Sequence, residues 1–428
     1  MVEDLFYPYF QERLGRALQD LGPYEVNKNF RGLYLSCWNP YKSASKPRGA
    51  VVACDGSFGK AEYTGGLSAW YLRALAHTSV SNGFTDPVPR VSVEIGYRMG
   101  GIGMALKALE AQTLQEAVER MKNHGRVVGL FDGTFYPLIP PFPERLDREA
   151  KHLEGYVKAF SSLLRQVEEG WLILLGVVKD SEVNYLRTRI LIRELVSELP
   201  ELEETLMRER TADKVARALT SVAKRTSPQR RKVLDRFIEE FQSQASDEEL
   251  YDAVASEPGY TTPLALAPQP IFLSEEVKAR SENWWDTRLR NRLDSWGFED
   301  LREALDDLYW QTPIATLYWR PPHGLGVYRV DVPASLLGFR GVWGDMEGDV
   351  LIEYEEEAAE HLCSILNGLS PAPHTVKPLV DVDSLVRMDE GVFSRVYEPI
   401  FTSKMREKGF AGRPKKRRLR ELIRGYTP

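Results

Sequence analysis

The sequence predicts an α/β fold: a mixed sheet flanked by helices and interrupted by a charged helical insertion. Three observations predict it. Short apolar runs rich in valine, leucine and phenylalanine alternate with helix-period segments up to Val178. From Leu186 to Ala255 the chain turns charged and helical. β character then returns at Ile314–Trp319 and Leu325–Val332. The expected organisation is a first part of the core over 1–185, a helical insertion over 186–300 serving as a dimer or partner surface, a second part of the core over 301–395, and a basic tail over 396–428.

In chain order, apolar residues at helical spacing predict an opening helix over Leu5–Leu21. Strands follow at Gly32–Trp38, Gly49–Cys54 and Val91–Tyr97, then a helix over Met104–Asn123 and a strand over Arg126–Phe131. The proline-rich loop Pro137–Pro143 leads into a helix over Arg145–Glu169 and the strand Leu172–Val178. The insertion carries Leu186, Ile190, Ile192, Leu195 and Val196, and later Val233, Phe237 and Phe241, at helical intervals. Such a charged helical unit is either a scaffold or dimer contact, or a DNA surface. Two more helices are expected over Glu355–Asn367 and Pro378–Met388. The tail from Thr402 holds GRPKKRRLRELIR, with Lys415, Lys416, Arg417 and Arg418. It reads as a solvated tail or as a phosphate-contacting arm.

Composition narrows the class. The 428 residues carry a net charge of −6 and are 43% hydrophobic, enough for a sizeable core, so any polyanion must be met by local basic patches. Cys37, Cys54 and Cys363 are scattered, which excludes a disulfide scaffold and a thiolate zinc site and fits a reducing cytoplasm. The N-terminus is unlike a secretory signal, and no run approaches the roughly 18 apolar residues of a membrane span. A soluble, cytoplasmic protein with no membrane association is expected. The phrase GSFGKA is not a P-loop, and no GxSxG or HExxH occurs, so any ATP hydrolysis must come from a partner.

The chemistry resides in carboxylates. VVACDGSFGK places Asp55 after the apolar run Val51–Cys54, and VVGLFDGTFY places Asp132 after Val127–Phe131. An aspartate at the end of a buried strand is poorly solvated and calls for a cation, either an arginine or a metal. One such DG is an ordinary turn; two, each followed by a hydroxyl (Ser57, Thr134) and a phenylalanine (Phe58, Phe135), form a pattern. On the intervening helix Glu110 falls inside the apolar stripe of Leu106, Leu109, Thr113, Ala117, Val118 and Met121, whereas Glu116 and Glu119 lie on the polar face. An inward glutamate needs a partner, so Glu110 is either a ligand or the mate of a structural arginine, with Glu94 in reserve. Hard oxygen donors without clustered Cys or His suit Mg²⁺ or Mn²⁺. Two such ions about 4 Å apart serve in-line displacement at phosphorus, which points to phosphodiester hydrolysis.

These phrases resemble the motifs of the NurA nuclease family. DGSFG at Asp55 is similar to its first DGS motif and LFDGTFY at Asp132 to its second, with a helical glutamate between them, here Glu110. GVVKDS at Gly176–Ser181 resembles a following strand, and LYWRPP and VYRVDVP resemble paired C-terminal strands that contribute Arg329. PLVDVDSLVRM resembles the last motif and puts Asp383 where the family has histidine or aspartate. Val382 replaces the usual alanine, and Thr375, beside His374, stands where a tyrosine is often found. The resemblance implies a ribonuclease-H-like core, a homodimer, and Mn²⁺- or Mg²⁺-dependent endonuclease and 5′–3′ exonuclease action on single- and double-stranded DNA. It also implies DNA end resection with a HerA-type hexameric ATPase translocase.

On this reading Asp55, Glu110, Asp132 and Asp383 gather around one or two Mn²⁺ or Mg²⁺ ions, with Asp55 central. Lys60 and Lys179 are phosphate contacts or plain loop lysines, and Arg329 and the tail cations Lys415–Arg418 complete the candidate substrate contacts. Trp284, Trp285 and Trp319 either stack on bases or belong to the core. A non-cutting DNA-end-binding or translocase-regulating scaffold is the alternative, and RNA cleavage a third reading.

Overall fold

The computed structural model describes residues 13–14, 26–41, 49–80, 83–136, 143–206, 209, 211–243, 245–267, 290–324, 326–346, 348–371 and 376–410. The opening helix (apart from Arg13 and Leu14), most of the proline-rich loop, Trp284, Trp285, His374 and the cations Lys415, Lys416, Arg417 and Arg418 lie outside these residues.

One twelve-stranded mixed sheet organises the chain. Its strands are β1 (Trp38–Pro40), β2 (Ala50–Glu62), β3 (Leu67–Val80), β4 (Gly83–Phe84), β5 (Val88–Tyr97), β6 (Val127–Asp132), β7 (Leu172–Val178), β8 (Gly259–Thr261), β9 (Leu264–Ala265), β10 (Ile314–Arg320), β11 (Tyr328–Pro333) and β12 (Val350–Leu351). The helices are α1 (Arg31–Leu35), α2 (Ile102–Arg120), α3 (Pro143–Glu168), α4 (Tyr185–Glu198), α5 (Glu203–Leu206), α6 (Ala212–Ala223), α7 (Pro228–Phe241), α8 (Asp247–Val254), α9 (Arg290–Ser295), α10 (Glu299–Tyr309), α11 (Glu356–Leu369), α12 (Lys377–Val386), α13 (Glu390–Val392) and α14 (Glu398–Glu407).

The central five strands carry the topological signature. β2, β3 and β5 run as an antiparallel meander, α2 crosses over, β6 pairs parallel to β2, α3 crosses over, and β7 pairs parallel to β6. Read across the sheet, β5-β3-β2-β6-β7 is the 3-2-1-4-5 order of a ribonuclease-H-like core. β6 and β7 are buried along nearly their whole length, as a parallel pair covered by crossover helices must be, which explains their unbroken apolar sequences VVGLFD and LILLGVV. Beyond β7 the sheet continues antiparallel through β11, β10, β8 and β1.

Four sequence expectations change. Of Gly32–Trp38 only Trp38 is in a strand: Arg31–Leu35 is a helical turn, because Phe30 and Tyr34 at four-residue spacing are buried, with Phe30 against Phe237 and Tyr34 hydrogen-bonded to Glu240 at 2.7 Å. β2 does not stop at Cys54 but runs through the DG phrase to Glu62, paired throughout with β3, so Asp55 sits inside a strand and not at its end. The helical stretch expected over Leu186–Ala255 does end there, at Val254, but the insertion does not extend to 300, because Gly259–Thr261 and Leu264–Ala265 pair with β10 and so belong to the sheet. The chain read as a tail from Thr402 is helical to Glu407, held by Met405 in a small core with Phe393, Tyr63 and Leu67. No helix among the described residues is long and apolar enough to cross a membrane.

Candidate active site

β2 and β6 lie side by side with Cys54 opposite Phe131, so Asp55 and Asp132 leave neighbouring parallel strands at the same level. Gly56 donates its amide to Asp55 Oδ1 at 2.7 Å. Gly56 has a second role. A β-carbon there would overlap Oε1 of Glu110 and come within 2.8 Å of Leu106 Cδ1. The absent side chain is the opening through which the Glu110 carboxylate reaches β2. α2 is rich in alanine, leucine and glutamate, strong helix formers, and buries Ala105, Ala108, Leu109 and Leu114. Glu110 shares that buried face and is only 8% exposed.

Asp383 comes from α12, which packs on β2, β3 and β6. Two contacts fasten its C-terminal end. Arg73 of β3 donates from Nε to the Val386 carbonyl at 2.7 Å and from Nη2 to the Arg387 carbonyl at 2.6 Å. Ser57 Oγ accepts from the Met388 amide at 2.9 Å. The hydroxyls that follow each DG are thus anchors: Thr134 Oγ1 donates to Asp331 Oδ2 at 2.5 Å and accepts from the Tyr136 amide at 3.0 Å.

Electrostatics link the four acids. Burial pushes Asp55 up to about 6, and the charges of Asp132 and Asp383 add to the shift. Burial likewise pushes Glu110 up to about 8, with Asp55 and Asp132 contributing. Each carboxyl therefore ionises less readily than a solvated one. Two lysines supply positive charge nearby. Lys179 Nζ lies 2.7 Å from Asp132 Oδ2. Lys107, one turn before Glu110, holds its ammonium 5.0 Å from the Tyr156 ring centroid and 3.4 Å from the Tyr136 carbonyl. Burial lowers its pKa to about 8, against the opposing pull of Asp331 and Glu110.

The remaining candidates are placed as follows. Lys60 pairs with Glu62 at 2.6 Å on β2. Arg329 is buried and engages Asp331 through Nε at 2.8 Å and Nη2 at 3.0 Å, with Thr316 Oγ1 at 3.1 Å, so its guanidinium is committed inside the sheet. Glu94 lies 3.3 Å from His152 Nε2. Trp319 is a core residue whose Nε1 bonds Tyr41 and Asn367. Glu248, not singled out from sequence, accepts from the Ser181 amide at 2.9 Å and the Arg329 amide at 3.1 Å. It thereby holds the turn after Lys179, where Asp180 has a φ of 57°.

Among the described residues no three His, Cys, Asp or Glu side chains form a closed metal cage as they stand. The donor chemistry nevertheless suits a hard divalent cation: every candidate is a carboxylate, and two are held above their ordinary pKa partly by the others. The Lys179 ammonium occupies the counter-charge position at Asp132.

No family model matches the chain, and no curated protein sequence matches it. Solved structures similar to it are those of NurA nucleases. The NurA nuclease from Sulfolobus solfataricus is 14% identical, with a TM-score of 0.47 over 94% of this chain and 95% of that one. A NurA structure with manganese is 14% identical, with a TM-score of 0.41 over 91% and 96%. A NurA structure bound to dAMP and manganese is 14% identical, with a TM-score of 0.41 over 92% and 96%.

Proposed function

We propose that this chain is a divalent-metal-dependent nuclease that hydrolyses phosphodiester bonds of single- and double-stranded DNA. One observation carries the reading: Asp55 and Asp132 leave neighbouring parallel strands at one level, Glu110 reaches β2 through the opening at Gly56, and Asp383 bears on Asp55 from the helix packed on β2. An acid cluster kept at that cost has a use when a cation joins it. Asp55 and Asp132 hold the ion from adjacent strands, with Glu110 and Asp383 closing from the two flanking helices. Bound there, Mn²⁺ or Mg²⁺ supplies Lewis-acid stabilisation of charge on the phosphoryl oxygens and lowers the pKa of water. Lys179, whose ammonium lies 2.7 Å from Asp132, would be the cation placed to meet a phosphate oxygen beside these carboxylates.

The proposal extends to assembly. β5 is the outer strand beyond β3, and Val91, Val93, Ile95 and Tyr97 face solvent in a row along it. A second copy related by a two-fold axis covers this row and makes the enzyme a homodimer. A hexameric ATP-driven translocase of the HerA type is the proposed further partner, in DNA end processing in the cytoplasm.

The test is cleavage of end-labelled single- and double-stranded DNA with Mn²⁺, Mg²⁺ or EDTA, comparing the native chain with Asp55→Asn. Metal-dependent cutting lost in the variant supports the reading. Metal-independent cutting, or cutting that survives the substitution, refutes it, and DNA binding without cutting under either metal makes the chain a scaffold.

A further inference from the structure

The strongest concentration of positive charge among the described residues lies on the helical insertion. Between Lys214 and Lys232 the chain carries seven cations and no Asp or Glu, within a protein of net charge −6. On α6 the buried face is Ala212, Val215, Ala216, Leu219 and Ala223, which turns Lys214, Arg217 and Lys224 outward along one stripe. The turn into α7 adds Arg225, and the opening of α7 adds Arg230, Arg231 and Lys232, all exposed. Among the described residues only weak, exposed pairs offset them: Arg230 with Glu201 at 2.7 Å and Arg231 with Asp235 at 3.7 Å.

The placement is costly for the fold itself. α7 has no acidic residue in its first turn, and its Ser227 N-cap makes no side-chain capping bond. Three consecutive cations therefore follow directly on the positive end of a helix dipole, where a stabilising sequence puts acids. α8 of the same insertion shows the stabilising arrangement, with Asp247, Glu248 and Glu249 in its first turn and a complete capping box. An external anion removes the penalty at α7: it takes the free first-turn amides and the flanking cations together.

We infer that the α6–α7 hairpin is a nucleic-acid phosphate-backbone binding surface, formed by Lys214, Arg217, Lys224, Arg225, Arg230 and Lys232. The surface reads no bases, because long exposed lysine and arginine side chains on convex helices meet phosphates along either strand. It rests on the nuclease reading for its partner and adds to it a site of substrate engagement distinct from the cleavage carboxylates.

The test measures binding of a labelled DNA duplex by fluorescence anisotropy across a salt series in EDTA, where metal-dependent cutting is silent. The triple variant Lys224→Gln, Arg225→Gln and Lys232→Gln should bind about tenfold more weakly, and its log K against log salt slope should fall by about 2–3. A control with the same charge change elsewhere, Lys151→Gln, Lys404→Gln and Arg406→Gln, should bind as the native chain does. An unchanged melting temperature in the triple variant separates lost contacts from lost fold. Loss confined to one DNA sequence overturns the inference, as does a triple variant with native affinity and slope. If Asp55→Asn still cuts while the triple variant loses binding, the catalytic reading falls and the surface stands. If Asp55→Asn is dead and the triple variant binds normally, the surface falls alone.

Discussion

Ser57 Oγ accepts a hydrogen bond from the Met388 amide at 2.9 Å, joining the strand of Asp55 to the end of the helix that carries Asp383. Arg73 reinforces the same joint from the next strand with two bonds to the Val386 and Arg387 carbonyls. Ser57→Ala should cost about 1 kcal/mol of stability, the ordinary net worth of one hydrogen bond. Arg73→Ala should cost more and free the end of α12. Both variants should bind Mn²⁺ more weakly in titration calorimetry while retaining the native circular dichroism spectrum. Native metal affinity in Arg73→Ala would show that Asp383 does not depend on this joint.

Gly56 and Gly59 make a contrasting pair. At Gly56 an added methyl meets the carboxylate and Cγ of Glu110 and the tip of Leu106, so both side chains must shift to admit it. At Gly59 it meets the Phe393 ring, wedged in the small core beneath the C-terminal helices. Gly56→Ala should abolish or greatly reduce cleavage, with a stability cost of about 1–3 kcal/mol from overpacking. Gly59→Ala should cost about 1–3 kcal/mol by overpacking and leave metal binding nearly intact. Comparing melting temperature with cleavage rate for the two separates these outcomes.

The pH dependence has a definite sign. Glu110 is raised from 4.5 in the open chain to about 8 in the fold, chiefly by burial. A raised acid adds stability that is fully present below its unfolded value and is lost as pH rises through the folded one. Asp55, raised from 3.8 to about 6, acts in the same direction over the lower part of the range. The metal-free protein should therefore lose stability between pH 4.5 and about 8 on account of these groups. Mn²⁺ binds the ionised forms, so the melting-temperature gain it gives should grow with pH across that window, and cleavage should rise with it. A gain independent of pH would place the ion elsewhere.

Much of this was legible in the sequence because burial leaves a pattern. β6 and β7 are buried on both faces and read as unbroken apolar runs, and Glu110 betrayed itself by falling inside an apolar stripe. β3 was not found: its burial alternates from Leu72 onward, but the residues do not, since Ala74–Ala76 are all apolar and His77–Ser79 all polar. β5 was found, but its row of Val91, Val93 and Ile95 faces outward while Arg90 and Glu94 turn toward Glu116 and His152. Alternation fixes which residues share a face, not which face is covered. Lys107 carried a signal that went unread, since it stands one turn from Glu110 on the same helix.

Arg329 illustrates a different limit. Its place in the VYRVDVP phrase marks it as special without saying why. In the fold it is 5% exposed and makes two bonds to Asp331, which is fully buried. Arg329→Ala would strand that carboxylate, and breaking a buried pair costs about 3–5 kcal/mol. The expected result is a large fall in melting temperature with DNA affinity unchanged in the fraction that folds. Weakened DNA affinity in a normally stable Arg329→Ala protein would instead put the guanidinium on the substrate.

The β5 row provides the remaining prediction. Four apolar side chains on an outer strand, each about half exposed or more, are an association hazard unless covered. They lie on the face of the sheet that α12–α14 cover over β2 and β3, since Val93 is opposite Tyr71, which stacks on Tyr397. α13, the helical turn Phe393–Tyr397 that follows it and α14 leave Val392, Val396 and Ile400 exposed at four-residue spacing, so strand and helices together present apolar surface. A symmetric second copy buries such a surface against itself, and a charge placed in it is then met by its own image. Val93→Glu with Ile95→Glu should therefore shift the protein from dimer to monomer in sedimentation velocity, with the far-ultraviolet spectrum unchanged. A native chain that sediments as a monomer at every accessible concentration would rule the pairing out, and a dimer that survives both glutamates would move it to another face.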